Sequence, residues 1–402
     1  MRKIYFDHSA TTPVDGEVAK LMLEYMTDKF GNPSSIHSFG RDVAKAVEKA
    51  RAQVAGLIGA NTNEIFFTDG GTEADNWAIK GIASANRKKG NHIITTTIEH
   101  HAILHTCEYL EKQGFDITYL PVDQYARVRV EDVKNAITDR TILISVMFAN
   151  NEVGTLQPIK EIGQLAHQSN IYFHTDAVPA VGNYPIDVNE YNIDLLTLSG
   201  HKFHGPKGIG ALYIRRCVRI DALHHGGAQE RKMRAGTENV PGIVGVGKAA
   251  EIAQRDMEKK IAHVQALRDK LIKGIQEKIS DIKLNGHPEM RLPGNINFCF
   301  SYVEGESLLL NLDIKGIAAS TGSACASGSL DPSHVLLAMG LSHEVAQGSL
   351  RITLGRANTE EDINYCLKVL PEIVGRLRSM SPLSAFNKIS ESSPCNCYSY
   401  AK

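Results

Sequence analysis

Leu195-Leu196-Thr197-Leu198-Ser199-Gly200-His201-Lys202-Phe203-His204-Gly205-Pro206-Lys207-Gly208 is the segment on which the architecture of this chain turns. Its first five residues form a largely apolar run that predicts a strand covered on both faces. The glycines and proline that follow predict a loop whose backbone can approach a ligand closely. Ligands of open α/β sheets bind beyond the strand carboxyl ends, where Lys202 falls. A lysine partly desolvated there favours its neutral amine and Schiff-base formation with a carbonyl. Its bland alternative is a solvated loop cation.

Outward from this segment, strand patterns at 64–68, 92–97, 116–122, 141–149, 171–176, 194–199 and 208–215 alternate with helical patterns at 74–89, 102–113, 130–137 and 159–168. That alternation argues an α/β fold with a mainly parallel sheet between helices. A charge-laced helical pattern over 242–279, interrupted by Gly245, Gly247 and Gly274, is of the kind that bridges domains. Beyond it, strand-like 295–300 and 350–354 and helix-like 306–312 and 359–380 suggest a smaller α/β unit. The expected organisation is a large domain at 15–240, a linking helix at 241–279, a small domain from 1–14 and 280–380, and a flexible tail at 381–402.

Composition narrows the partner. The 402 residues carry 44 Lys plus Arg against 45 Asp plus Glu, so no basic field is offered to nucleic acid or an anionic membrane. With 43% apolar residues the chain can bury substantial cores, which excludes intrinsic disorder. The apolar run at 142–149 is far too short to span a bilayer, and Met1–Thr12 lacks a signal-peptide core. The expectation is a cytoplasmic protein with a small-molecule partner, in which seven scattered cysteines form no disulfide framework.

Two further segments carry chemistry. Ile171-Tyr172-Phe173-His174-Thr175-Asp176 ends a buried run in a carboxylate. An acid so placed can pair with a protonated pyridine nitrogen and keep pyridoxal phosphate (PLP) an electron sink; otherwise it is a helix cap. Thr68-Asp69-Gly70-Gly71-Thr72-Glu73 follows a strand and opens a helix, so first-turn N–H groups with the Thr72 hydroxyl can cradle a phosphate. Its spacing is neither a dinucleotide fingerprint nor a Walker loop.

These segments stand in order with Ala10-Thr11-Thr12-Pro13, Phe30-Gly31-Asn32-Pro33-Ser34-Ser35, Glu99-His100, Ala149-Asn150-Asn151-Glu152, Arg234-Ala235-Gly236-Thr237-Glu238-Asn239 and Gly322-Ser323-Ala324-Cys325-Ala326-Ser327-Gly328. With them the chain, from about Tyr5 to Ser381, resembles the NifS/IscS-type cysteine desulfurases. That group belongs to the class V aminotransferases of PLP fold type I, the aspartate-aminotransferase-like fold with a mainly parallel seven-stranded sheet. The resemblance implies Lys202 as the Schiff-base lysine, Asp176 as the pyridine-nitrogen partner, and Gly71, Thr72, Ser199, Gly200 and His201 around the phosphate. It further implies His100 over the ring in proton transfer, Asn151 near the cofactor oxygen and the substrate, and Arg351 gripping the substrate carboxylate. Thr237 would reach the neighbouring subunit's phosphate, making a homodimer. Cys325, in a small-residue segment expected to be mobile, would attack the sulfur of L-cysteine and carry it as a persulfide to an acceptor or iron–sulfur scaffold protein. Cys325 is also a candidate transient metal ligand of a nascent iron–sulfur cluster. Alternatives are a selenocysteine lyase or other β-eliminating lyase, or a low-activity assembly platform.

Two departures stand out. Where the family has Asp-Ala-x-Gln, this chain reads Asp176-Ala177-Val178-Pro179, and proline offers neither an amide side chain nor an N–H. Pro179 is therefore expected to alter the cofactor's protonation and slow turnover. The tail carries Cys395-Asn396-Cys397, too few ligands for a closed metal site and read as a solvated end.

Overall fold

The computed structural model describes residues 3–322 and 332–381. In chain order its strands are β1 (Ile4–Tyr5), β2 (Ile65–Thr68), β3 (His92–Thr96), β4 (Asp116–Leu120), β5 (Thr141–Ser145), β6 (Tyr172–Asp176), β7 (Leu195–Ser199), β8 (Gly210–Ile214), β9 (Ile282–Leu284), β10 (Asn295–Phe300), β11 (Ile317–Ala318) and β12 (Ser349–Thr353). The helices are α1 (Gly16–Thr27), α2 (Ser38–Ile58), α3 (Gly71–Asn86), α4 (His101–Glu111), α5 (Val130–Ala136), α6 (Ile159–Gln168), α7 (Val240–Lys278), α8 (Gly305–Ile314), α9 (His334–Ala338), α10 (His343–Gln347) and α11 (Glu360–Met380).

Seven strands form the main sheet in the order β2-β8-β7-β6-β5-β3-β4, parallel except for β8, which runs against both neighbours. Every residue of β2, β3, β5, β7 and β8 is buried, as continuous apolar strands between two helical layers require. Residues of α1, α2, α5, α6 and α7 share one core with the sheet, and α3 and α4 share the other. In the β6–β7 register Asp176 is opposite Thr197, so the carboxyl ends that carry Asp176 and Ser199 open at the same edge.

The helix α7 belongs to two cores. Val240 to Ile252 pack on the sheet, whereas Val264, Leu267, Leu271 and Ile275 pack with β10, β12, α8 and α11. Its glycines, which would weaken an isolated helix, sit where another element comes close. A Cβ on Gly247 would stand 2.5 Å from the Ala50 Cα, and one on Gly274 2.5 Å from the Leu367 Cδ1. Helix α3 starts at Gly71, three residues before the apolar periodicity, because its first turn faces the site and only Ala74 onward enters the core.

The amino-terminal strap joins the two cores. β1 pairs in parallel with β11, Phe6 is buried in the second core, and the Thr12 N–H donates to the His201 carbonyl at 3.0 Å. No helix among the described residues is long and apolar enough to cross a membrane.

Candidate active site

Lys202 ends a single 3₁₀ turn immediately after β7. The amino-terminal strap runs past its amine, which donates to the Ala10 carbonyl at 3.0 Å and also to the Ser9 carbonyl. Asp176, the last residue of β6, is 3% exposed, and burial pushes its carboxyl up to about 6 against the hydrogen bond from the Val178 N–H and the charge of Lys202. That bond, 2.9 Å to Oδ1, caps a turn; no helix follows directly.

His100 caps α4, its Nδ1 accepting the Ala102 N–H at 3.1 Å. Burial, aided by the charges of His101, Lys202 and His105, pulls its imidazole down to about 4. At neutral pH the ring is therefore uncharged, with its proton on Nε2, free to hold or move a proton there. Lys202 thus lies within electrostatic reach of both Asp176 and His100.

No side chain caps the N-terminus of α3. A Cβ on Gly71 would stand 2.8 Å from the Val178 Cγ2 and 3.7 Å from the Ser199 Cβ, so the start of α3, with first-turn N–H groups that no side chain caps, lies against the end of β7 and suits an anion. The next turn on, Gly200 abuts Pro206 and Ile209. His201 is uncharged at neutral pH, brought down to about 4 by burial and by Lys202 and Lys207, and its Nδ1 meets the Thr11 hydroxyl at 3.2 Å. An anion cradle, a lysine and a buried carboxylate at adjoining strand ends fit a phosphorylated pyridine aldehyde.

Arg351, on β12, is 2% exposed, and its Nη2 donates to Asp7 Oδ1 at 3.0 Å. Nη1 reaches the Asn151 carbonyl at 3.4 Å, and Nε has no hydrogen-bond partner among the described residues. A buried guanidinium with an unused donor suits a carboxylate ligand. Thr237 is exposed, on a segment tied to α3 by Arg234, which bonds Glu73 through Nε at 2.8 Å and Nη2 at 3.0 Å. Pro179 and Lys202 line one cavity, with His8, His204, Asn183 and Lys260.

Cys325, Cys395 and Cys397 lie outside the described residues. Among those described, no group of three or more His, Cys, Asp or Glu could hold a metal ion. Cys107, Cys299 and Cys366 are buried, and burial pushes their thiols up to about 12, 11 and 12, which leaves them inert.

Several residues around the site received no role from the sequence alone. Asp75, on the second turn of α3, and Glu99, beside His100, are both buried carboxyls raised by desolvation, Glu99 to about 8. His174 bridges Ser145 at 2.9 Å and Thr197 at 3.1 Å and stays uncharged, held at about 3 by burial. Asp7 pairs with Arg351 at 3.0 Å, and the buried Glu152 lies within electrostatic reach of the same guanidinium. Glu99 and Glu152 stand inside the Glu99-His100 and Asn150-Asn151-Glu152 motifs and Asp75 just beyond the Gly-Gly-Thr one, but no spacing tells which side chains turn inward.

A class-V aminotransferase family model matches residues 4–366. The chain belongs to the class-V aminotransferase family. Within it the chain is of the NifS/IscS type. It is 62% identical over 383 residues to the cysteine desulfurase IscS of Methanosarcina thermophila, covering 95% of each chain. The IscS of Dictyoglomus turgidum is 54% identical, over 98% of this chain and 100% of that one. Among solved structures, a NifS-like protein superposes with a TM-score of 0.88 at 40% identity, covering 94% of this chain and 100% of that one. One described as SspA in complex with cysteine gives 0.79 at 38% identity, covering 89% and 100%. The PLP fold type I expected from the sequence is the fold observed.

Proposed function

We propose that this class-V family member is a homodimeric, PLP-dependent cysteine desulfurase of the cytoplasm, converting L-cysteine to L-alanine and passing the sulfur through Cys325 to an acceptor or scaffold protein for iron–sulfur cluster assembly. The observation that carries this reading is the convergence of Lys202, Asp176 and His100 beyond two adjoining strand ends, beside an uncapped helix N-terminus. PLP, when bound, supplies the electron sink that weakens bonds at the substrate's α and β carbons.

The chain's own residues supply the rest. Lys202 would bond the cofactor's carbonyl carbon and yield that position to the substrate amine. Asp176 would hold a positive charge at the ring nitrogen, and Gly71, Thr72, Ser199, Gly200 and His201 would hold the phosphate. Arg351 would bind the substrate carboxylate beside Asn151, and His100 would move a proton through Nε2. The Cys325 thiolate would bond the substrate sulfur as the Cβ–S bond breaks, so that cysteine plus the thiol gives alanine plus the persulfide.

The PLP-loaded protein incubated with L-cysteine and a reductant should release alanine and sulfide, and Cys325→Ala should lose both by at least ~100-fold. Sustained elimination in that variant would mark a lyase; an inactive loaded wild type would reject the enzyme reading.

The dimer is supported by exposed apolar side chains at Leu23, Met26, Phe30, Ile36 and Phe39, with Ile36 90% exposed. Burying one Ile is worth about 1.5–3 kcal/mol, and a two-fold interface counts it twice. Ile36→Asp should therefore weaken dimerisation by about two to four orders of magnitude. Sedimentation velocity across a dilution series reads the change, and an undisturbed dimer would remove this surface from the interface.

A further inference from the structure

Glu152 is a buried carboxyl that the chemistry above leaves unused. It is 5% exposed and its backbone is fixed: its N–H donates to Asn150 Oδ1 at 2.9 Å, and its carbonyl accepts from Asn295 at 3.3 Å and Asn297 at 3.1 Å. Its Oε2 accepts the hydroxyl proton of Ser333, the residue that caps α9. The Ser333 oxygen already accepts the Val335 and Leu336 N–H groups, at 3.1 and 3.3 Å, so its one proton is directed to Glu152. Gly322 closes the other side, since a Cβ there would stand 2.3 Å from Oε2.

Among the described residues the charged group that faces Glu152 from a neighbouring element is Arg351 on β12, and that guanidinium is already paired with Asp7 of the amino-terminal strap. One buried cation therefore serves two carboxylates. A substrate carboxylate docking on Arg351 brings a third anion into the same low-dielectric space, where like charges do not all stay ionised. Asp7 is committed at 3.0 Å, whereas among the described residues the side chain of Glu152 has only a neutral donor, so Glu152 is the group that gives way.

We propose that Glu152 takes up one proton from solvent, at Oε1, when the substrate's carboxylate binds Arg351, and so sets the pH dependence of substrate affinity. Desolvation places the carboxyl at about 7 despite the Ser333 bond and the Arg351 charge, which puts the exchange in the working range. The sign follows from linkage. Below that value Glu152 is already protonated and affinity is flat; above it a proton must be taken up, and Kd rises by up to tenfold per pH unit.

This inference rests on Arg351 being the carboxylate site, and propionate tests the two separately, since it stays ionised above pH 6 and has no amine to react. Calorimetric titration of the PLP-loaded protein at pH 8, in two buffers of different ionisation enthalpy, should show uptake of nearly one proton. From pH 7 to 9 the wild-type Kd should rise about tenfold or more, whereas Glu152→Gln should show no uptake and change less than about twofold. Proton uptake near zero in the wild type, or retained in Glu152→Gln, overturns the proposal. Propionate binding unaffected by Arg351→Ala overturns the carboxylate site itself. Should Glu152→Gln fail to fold, Ser333→Ala removes the bond that favours the ionised form and should move the wild-type midpoint to higher pH; an unmoved midpoint counts against Glu152.

Discussion

Lys202→Ala loses turnover by about 10³-fold or more, and PLP added to it gives no protein-bound absorbance of the kind a Schiff base produces. The expectation follows from the surroundings of the amine. Lys260 lines the same cavity and burial lowers it to about 8, so it is the amine one would ask to replace Lys202. It cannot do so without breaking its own bonds, because its Nζ is spent on Asn183 Oδ1 at 2.6 Å and the Gly182 carbonyl at 3.0 Å. Folding should be unaffected, since Lys202 contributes hydrogen bonds to strap carbonyls and no core packing. Retention of both the absorbance and alanine production in Lys202→Ala would remove this lysine from the chemistry.

Glu230→Ala costs about 3–5 kcal/mol of stability. Arg51 and Glu230 are 3% and 6% exposed and meet through two contacts of 2.8 Å. Glu230 also accepts the Phe67 N–H of β2 at 2.9 Å, and Arg51 donates to the Ile65 carbonyl at 2.9 Å. Removing the carboxylate leaves the buried guanidinium with the largely exposed Glu48, 3.0 Å from Nε, as its remaining anion, and strands a strand N–H. It also frees a segment in which Glu230, Arg231 and Lys232 all hold positive φ (43°, 57° and 68°), a conformation non-glycine residues keep only under external restraint. Urea unfolding followed by circular dichroism should show the lower midpoint, and pairing Arg51→Met with Glu230→Leu should recover part of it. A loss below about 1 kcal/mol would mean that the pair is solvated and contributes little.

Some of this was legible along the chain and some was not. The strand at 295–300 and the helix at 159–168 were read to the residue because each is a short run with one clear period and clear breakers at its ends. The long helix was legible in spite of its glycines. That those glycines mark where Ala50 and Leu367 approach was not, since the approach comes from distant elements. The apolar run at 141–149 looked like one strand, yet β5 ends at Ser145; Val146 and Phe148 still donate to the His174 and Asp176 carbonyls while the chain turns toward Asn150.

Local order determined the seven-strand alternation, the lysine and aspartate at neighbouring strand ends, and the glycines of the cradle, because each depends on residues a few positions apart. Only the tertiary structure decided which strand ends adjoin, that a strap from residues 7–12 lies over Lys202, and that Asp7 meets Arg351 across 344 positions. Pairings of that kind rest on loop closure and on desolvation, which exist only once the two cores have packed. The charge states of Asp176, His100 and Glu152 belong to the same class: burial sets them, and no sequence motif records how much water a folded chain excludes.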